Sequence, residues 1–320
     1  MTWYETAIQI LLIGIANGSI IALVALGYTL VYGIIELINF AHGDVFMIGS
    51  MLSLTIFTWA PPLFGVARVS LLPDATIVLI VVGTLLVVMV CCALLNATIE
   101  RLAYRPLRRA PRLAPLISAI GVSFILVNIG LFWRGASQAN FPSPYRGLEV
   151  DILRDVLHVN TPIFFKVKDL AVILLAVPLM VGLSLFVSRT RLGKAMRATA
   201  QDREAAAMMG ININQTIALT FLIGGALAGA AGLIYGAYNT QVWYLQGFRN
   251  GLLAFTAAVF GGIGNLYGAF IGGLLIGIVS AGSDYLVDPR WTQAVVFGML
   301  ILTLIFKPTG LLGEASTERA

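Results

Sequence analysis

Residues 189–211 read R-T-R-L-G-K-A-M-R-A-T-A-Q-D-R-E-A-A-A-M-M-G-I, the longest charged, helix-forming segment in a chain that is otherwise mostly apolar. Alanine-rich sequence of this kind forms helix readily, and Gly210 is a natural stop for it. Apolar runs long enough to cross a bilayer lie on both sides. The segment therefore reads as a helix held outside the membrane, on the side favoured by positive charge, offering a surface to another protein. A solvated connecting helix is the plainer alternative for this stretch alone.

Moving outward, the 320 residues are 59% hydrophobic and 11% charged, with a mean hydropathy of +0.92. A soluble domain carries about 25% charge, so this chain lacks the charges to clothe a water-facing surface. Its apolar runs are continuous rather than alternating, which excludes an outer-membrane barrel. The expected class is an all-α, polytopic inner-membrane helical bundle, with residues 1–320 forming one transmembrane domain. The net charge of +5 is gathered in two clusters that look topological and is not a nucleic-acid signature. The start, M-T-W-Y-E-T-A, has no basic region and no cleavage site follows, so it is read as leading into a first span rather than a removed signal.

Spans are expected near 8–32, 44–60, 76–98, 113–133, 170–187, 215–238, 251–263, 265–286 and 291–306, within a range of eight to ten with nine preferred. Arg101, Arg105, Arg108, Arg109 and Arg112 crowd one loop; Arg189, Arg191, Lys194, Arg197 and Arg203 crowd another. Both loops are expected on the cytoplasmic side, and two spans separate them, so the parity agrees. The 134–169 loop, where Glu149, Asp151, Asp155 and Asp169 offset the basic residues, is placed in the periplasm. Nine spans put Lys307 inside; a re-entrant 251–263 would flip the C-terminus.

Glycines recur four apart at Gly14/Gly18, Gly225/Gly229, Gly232/Gly236, Gly268/Gly272 and Gly273/Gly277. Such rows let helix backbones approach closely in lipid. The adjacent Cys91 and Cys92 sit inside an apolar run and read as small buried thiols, without a disulfide framework or metal spacing. Asp151 and Asp155 read as solvated loop carboxylates.

Few polar groups fall at membrane depth. Glu36, Asn39, His42 and Asp44 lie within E-L-I-N-F-A-H-G-D. They mark a loop between spans, or support a translocation path, or, least favoured, do chemistry. Asp44 is placed to begin the second span, where a carboxylate suits the helix dipole. In A-A-V-F-G-G-I-G-N-L-Y-G-A-F-I-G-G (257–273), the glycines Gly261, Gly262 and Gly264 and the amide of Asn265 allow unwound backbone and half-helices; a plain turn between short spans fits equally. The N-L-Y-G-A-F-I-G within it faintly echoes N-F-A-H-G-D-V-F-M-I-G, as an inverted repeat would. Asn17 and Asn128 are isolated amides that should bond across helices rather than touch a substrate. No G-x-x-x-x-G-K-[ST], G-x-S-x-G or H-E-x-x-H occurs in the chain, so neither a phosphate-cradling loop nor a readable nucleophile or metal set is expected. A self-sufficient carrier would more often place carboxylates mid-span for ion coupling, and mid-span positions here are almost free of charge.

Four stretches together resemble the permease subunits of bacterial branched-chain amino-acid importers driven by ATP-binding-cassette subunits: N-G-S-I-I-A-L-V-A-L-G-Y-T-L-V-Y-G-I-I-E-L-I-N-F-A-H-G-D (17–44), R-L-G-K-A-M-R-A-T-A-Q-D-R-E-A-A-A-M-M-G-I-N (191–212), F-T-A-A-V-F-G-G-I-G-N-L-Y-G-A-F-I-G-G (255–273) and F-K-P-T-G-L-L-G (306–313). The N-F-A-H-G-D motif makes it similar to the shorter of the two permease types. The resemblance implies a partner permease of related sequence, two cytoplasmic ATPase subunits that bind the ATP and Mg, and a periplasmic substrate-binding protein. It implies no cofactor, metal or catalytic residue in this chain, and so no enzyme. Residues 188–212 would be the cytoplasmic coupling segment, carried by Arg191, Gly193, Lys194, Arg197, Glu204, Ala205, Ala206 and Gly210. Asn17, Asn39, Phe40, His42, Asp44, Gly261, Gly262, Gly264 and Asn265 are the candidates for the translocation pathway. The substrate would be a branched-chain or related small amino acid; urea, short amides or aromatic acids are the alternative loads, and a secondary carrier or channel the alternative class.

Overall fold

A computed structural model describes residues 2–37, 39–66, 69–108, 110–111, 113–143, 150–156, 158 and 161–313. Arg109, Arg112 and Glu149, used above in weighing loop charge, lie outside the described residues. The chain is an all-α bundle, as expected: α1 (Trp3–Ile35), α2 (His42–Leu63), α3 (Asp74–Ile99), α4 (Leu113–Arg134), α5 (Val167–Arg189), α6 (Arg191–Gln201), α7 (Arg203–Met208), α8 (Ile213–Asn239), α9 (Gln246–Gly261), α10 (Leu266–Leu286) and α11 (Thr292–Phe306). Two-residue strands β1 (Ala139–Asn140) and β2 (Gln241–Val242) pair antiparallel and tie the connections after α4 and α8 together.

Seven of these helices are long and apolar enough to span a membrane: α1, α2, α3 with its extension to Leu107, α4, α5, α8 and α10. The other two expected spans exist as helices, but α9 has 16 residues and α11 has 15. At 1.5 Å per residue they reach about 24 and 22 Å, short of the ~30 Å hydrocarbon core. Among the described residues seven helices are thus full-length spans, and the two further helices expected as spans are shorter than a full crossing. Leu311 N–H donates to the Phe260 carbonyl and Leu312 N–H to that of Gly261, each at 2.9 Å. Those bonds bring the chain after α11 back to the end of α9. Ser184 near the end of α5 donates to Tyr267 at the start of α10, at 3.1 Å, so the same end of the bundle carries α6 and α7. At the opposite end Gln9 and the Phe164 backbone exchange hydrogen bonds of 2.9 and 2.7 Å. The N-terminus therefore shares its end with the 134–169 connection.

The core forms where glycines let helices touch. A Cβ on Gly14 would stand 2.6 Å from Ile278 Cα, and one on Gly18 would stand 2.8 Å from Leu274 Cα. Conversely, side chains on Gly273 and Gly277 would collide with Ala22 and Gly18. α1 and α10 are thus joined backbone to backbone, running antiparallel. Gly225 and Gly229 of α8 do the same against Cys92 and Val88 of α3, and Gly232 against Phe46 and Ser50 of α2. Without a hydrophobic force between helices in lipid, this close packing and the hydrogen bonds it admits hold the bundle.

Several expectations fail for local reasons. α10 is antiparallel to α1, as α2 is across its short connection, so α2 and α10 point the same way and the echo between them is no inverted repeat. Cys92 is buried but Cys91 faces outward, since neighbours on a helix lie about 100° apart. Asn128 bonds the Phe124 carbonyl of its own helix, not another helix, and from half-buried Asn17 no hydrogen bond crosses to another helix among the described residues. Asp151 is buried rather than solvated: its carboxylate accepts from the backbone N–H of Leu153 and of Phe165, at 3.0 and 3.4 Å, and shapes the connection before α5.

Candidate functional site

The segment 189–211 is not one helix but two, broken at Asp202. α6 starts at Thr190, whose hydroxyl accepts from Gly193 N–H at 3.0 Å. α7 starts at Asp202, whose carboxylate accepts from Glu204 and Ala205 N–H at 2.9 and 3.0 Å. Asp202 thus satisfies donors that would otherwise be orphaned at a helix start, which favours a break there over continuation. α7 stops as the sequence suggests. Gly210 has φ +83°; its N–H donates to Ala207 and that of Ile211 to Ala206, both at 3.0 Å. This pair of bonds is a Schellman ending, and it needs the left-handed conformation that glycine adopts without strain. The result is an elbow whose tip presents Met208 and Met209, 82% and 83% exposed.

The elbow is tied to the bundle. Gly193 packs on the Phe186 and Val187 carbonyls, where any side chain would collide. Arg197 donates to the Ser188 carbonyl at 3.2 Å. Arg203 donates to the Ile34 carbonyl at 2.7 Å. That carbonyl belongs to the last turn of α1, the negative end of its dipole, where a guanidinium is favoured. Immediately after Ile35, Glu36 caps α1 with φ +55°. Among the coupling candidates, Arg191, Lys194, Glu204, Ala205 and Gly210 face outward or lie at the rim, and Ala206 is buried.

The motif residues 39–44 sit below the surface. Asn39 donates to Asn96 of α3 at 3.3 Å, Asn96 donates to the Phe221 carbonyl of α8 at 2.7 Å, and Tyr104 donates to Asn39 at 3.0 Å. The helices α3, with the turn that ends it, and α8 are joined to the α1–α2 connection by this chain of bonds. Tyr104 is turned inward by a π-helical turn, Glu100–Tyr104, at the end of α3. The same turn buries Glu100, which pairs with Arg108; Arg108 also donates to Asn214 at 2.5 Å. Burial holds the Arg108 guanidinium below its ordinary pKa, against the opposing pull of Glu100.

α2 begins at His42, two residues before the expected carboxylate start. His42 is fully buried under Gly27, edge-on to the Tyr28 ring at 4.8 Å between centroids. Asp44 does not cap its own helix. It lies in the first turn, 1% exposed, and accepts from Ser123 of α4 at 2.5 Å through one oxygen. Phe40, with Tyr28 and Ser123, lines a cleft of about 450 Å³ between α1, α4 and α9.

The other pathway candidates separate from these. Gly261 packs on Gly268, and Gly262 (φ +107°) packs on Gly313, so both serve the α9–α10 turn and its clamp by the tail. Asn265 caps α10 through Gly268 N–H at 3.1 Å and donates to the Leu312 carbonyl at 2.9 Å. The backbone here forms a turn between two helices, with Asn265 N–H donating to the Gly262 carbonyl at 3.0 Å. Gly264 and Asn265 line a groove of about 420 Å³ with Arg197 and Met196 of α6 and Thr29 of α1. Coupling and pathway candidates therefore meet at one groove. Sequence reasoning missed Asn96, Glu100, Tyr104, Ser123 and Asp202. Asn96 and Glu100 carried a signal, as an amide and an acid at the end of a long apolar run; Ser123 carried none.

Residues 10–304 match the family model described as branched-chain amino acid transport system, permease component. The chain is 40% identical over 317 residues to the high-affinity branched-chain amino acid transport system permease protein BraD of Pseudomonas aeruginosa, covering 98% of this chain and 97% of that one. It is 39% identical to the protein of the same description, LivH, of Escherichia coli, covering 96% and 95%. It is 30% identical to the probable branched-chain amino acid transport permease protein LivH of Methanocaldococcus jannaschii, covering 93% and 90%. No solved structure matches.

Proposed function

Because the chain belongs to the family of permease components of branched-chain amino acid transport systems, we propose that it is the membrane-spanning subunit of an ATP-driven importer for leucine, isoleucine, valine or a related small amino acid. It resides in the bacterial inner membrane as a multi-pass protein. A second permease of related sequence completes the path, two cytoplasmic ATPase subunits bind the ATP and Mg, and a periplasmic binding protein delivers the substrate to the end that holds the N-terminus and the 134–169 connection.

The observation that carries this proposal is the elbow α6–α7. Its exposed tip ends at Gly210, its base is anchored by Arg203 on the last turn of α1, and its α6 shares a groove with Thr29, Gly264 and Asn265. A push on Met208, Met209 and the outward Glu204 is transmitted to α1, and α1 is bound backbone to backbone to α10. The buried bonds at Asn39 and the packed imidazole of His42 fix where α2 begins beside α1, so that movement of α1 reaches the cleft that Phe40 lines. Coupling thus runs from the elbow to the helices around Phe40 and Asp44.

The test is uptake by proteoliposomes holding both permeases and both ATPases. Binding-protein-dependent uptake of leucine, isoleucine or valine is expected only with ATP inside the ATPase-bearing compartment. Uptake by this chain alone, without ATP and driven by a gradient, would make it a secondary carrier and end the proposal.

A further inference from the structure

We propose that the groove between α1, α5, α6 and α10, on the elbow's side of the bundle, binds an anionic phospholipid, with its phosphate at Arg197 and one acyl chain between α5 and α10. This goes beyond the importer reading, and lipid binding can be read whether or not that reading holds.

The site is made of two cavities that abut. The groove of about 420 Å³ is lined at its outer end by Arg197 of α6, Ser188 of α5 and Asn265 before α10. A second cleft, of about 300 Å³, lies between α1, α5 and α10, and its walls are apolar, with Leu26, Val177, Met180, Val181, Leu185 and Phe270. Ser184, Leu266 and Tyr267 line both, and there the Ser184 hydroxyl donates to that of Tyr267 at 3.1 Å. Each cavity has the size of a small-ligand site, about 300 to 1,000 Å³.

Polarity changes in the same direction on all three spans. α1 and α5 run toward the elbow and α10 starts beside it. Toward the elbow, α5 passes from Val177 and Val181 to Ser184 and Ser188, α10 from Phe270 to Tyr267, and α1 from Leu26 to Thr29. From Val177 to Ser188 the helix rises about 17 Å at 1.5 Å per residue, close to the ~15 Å of hydrocarbon in one leaflet. Hydrocarbon, hydroxyl and guanidinium thus follow one another in the order of a phospholipid's chain, ester and phosphate. Val177, Val181 and Leu185 recur four apart and are exposed on a span, so a chain enters sideways from the bilayer.

The head group is anionic because the two linings contain Arg197 and no Asp or Glu. Arg197 donates through one terminal nitrogen to the Ser188 carbonyl and pairs with no acid among the described residues. Lys194, one turn earlier on α6, is exposed as well. Basic pockets between spans on the cytoplasmic side take phosphate head groups. A water-soluble anion would leave the apolar cleft unfilled. With its phosphate on α6 and its chain on α5 and α10, the lipid ties the base of the elbow to two spans.

The test uses the full chain in lipid nanodiscs, alone and as the assembled importer, with phosphatidylglycerol or phosphatidylcholine carrying the same diazirine-bearing acyl chain. Labelled positions are read by peptide mass spectrometry after irradiation. In both preparations phosphatidylglycerol should label 177–185 and 266–270 about 5-fold more than phosphatidylcholine, the effect of one charged contact at a membrane surface. The outward face of α3 at Val82, Leu86 and Val90 should show no such preference. Arg197→Gln should lower labelling of the cleft to the phosphatidylcholine level, and Arg197→Lys should keep most of it. Val181→Trp fills the cleft from the lipid side and should cut labelling of α10 while that of α3 stays unchanged, a second check that does not depend on the arginine variants folding. Equal labelling by the two lipids, a preference that survives Arg197→Gln, or competition by excess glycerol 3-phosphate each overturns the proposal. So does loss of the label on assembly, which would mean that a second permease or an ATPase covers the groove. None of these results bears on the importer reading, which the uptake experiment decides.

Discussion

Gly277→Leu is expected to leave almost no folded protein. Gly277 meets the Gly18 backbone and the Gly14 carbonyl, with no room for a Cβ on either helix. Inserting methylenes into a well-packed core costs about 1–3 kcal/mol, and here backbone rather than a flexible side chain must yield. The α1–α10 seam is also the one that positions Gly14, Gly18 and Gly273, so separating the helices at one point releases the others. Size-exclusion of a fluorescent fusion in mild detergent should lose its monodisperse peak. Gly83→Leu is the control, since a Cβ on Gly83 in α3 meets nothing within 4 Å; it should keep the peak. A monodisperse Gly277→Leu protein would mean that α1 and α10 do not pack as described.

The second large effect is on activity alone. Gly210→Pro should reduce uptake by about 5–150-fold, the range of a lost coupling of 1–3 kcal/mol, with membrane insertion unchanged. Proline cannot adopt φ +83° and has no N–H for the Ala207 carbonyl, so the ending of α7 is lost while the spans are untouched. Glu204→Lys should act in the same direction by reversing charge on the outward face of α7. Both are read as uptake per inserted permease, together with the amount of ATPase that copurifies. Uptake at the parent level with unchanged copurification would remove 188–212 from the coupling role.

What the sequence made legible and what it hid follow from the range of the forces involved. Apolar length is a local property, so 265–286 and 291–306 appear as Leu266–Leu286 and Thr292–Phe306. The glycine rows at 14/18 and 273/277 are equally local in origin and turn out to face each other. The break at Asp202 was hidden because an aspartate within an alanine-rich run reads as one more helical residue until its side chain turns back on Glu204 and Ala205 N–H. Asp44 was misread as its helix's own start because the hydroxyl that engages it lies 79 residues away on α4. Asn39 and Asn96 are 57 residues apart, and nothing in either neighbourhood announces the other. Local periodicity therefore located the helices and the elbow's glycine end. The buried polar contacts, which decide where the motif residues point, depend on the packing of α2, α3, α4 and α8.

Cross-linking from the elbow tip tests the central claim most directly. Met208→Cys in a Cys91→Ala background, treated with a short bismaleimide in membranes containing the whole importer, is expected to join this chain to an ATPase subunit carrying a cysteine in its facing groove, with a yield that changes when ATP hydrolysis is blocked. A cross-link to the ATPase from Phe164→Cys at the opposite end of the bundle, and none from position 208, would contradict the account.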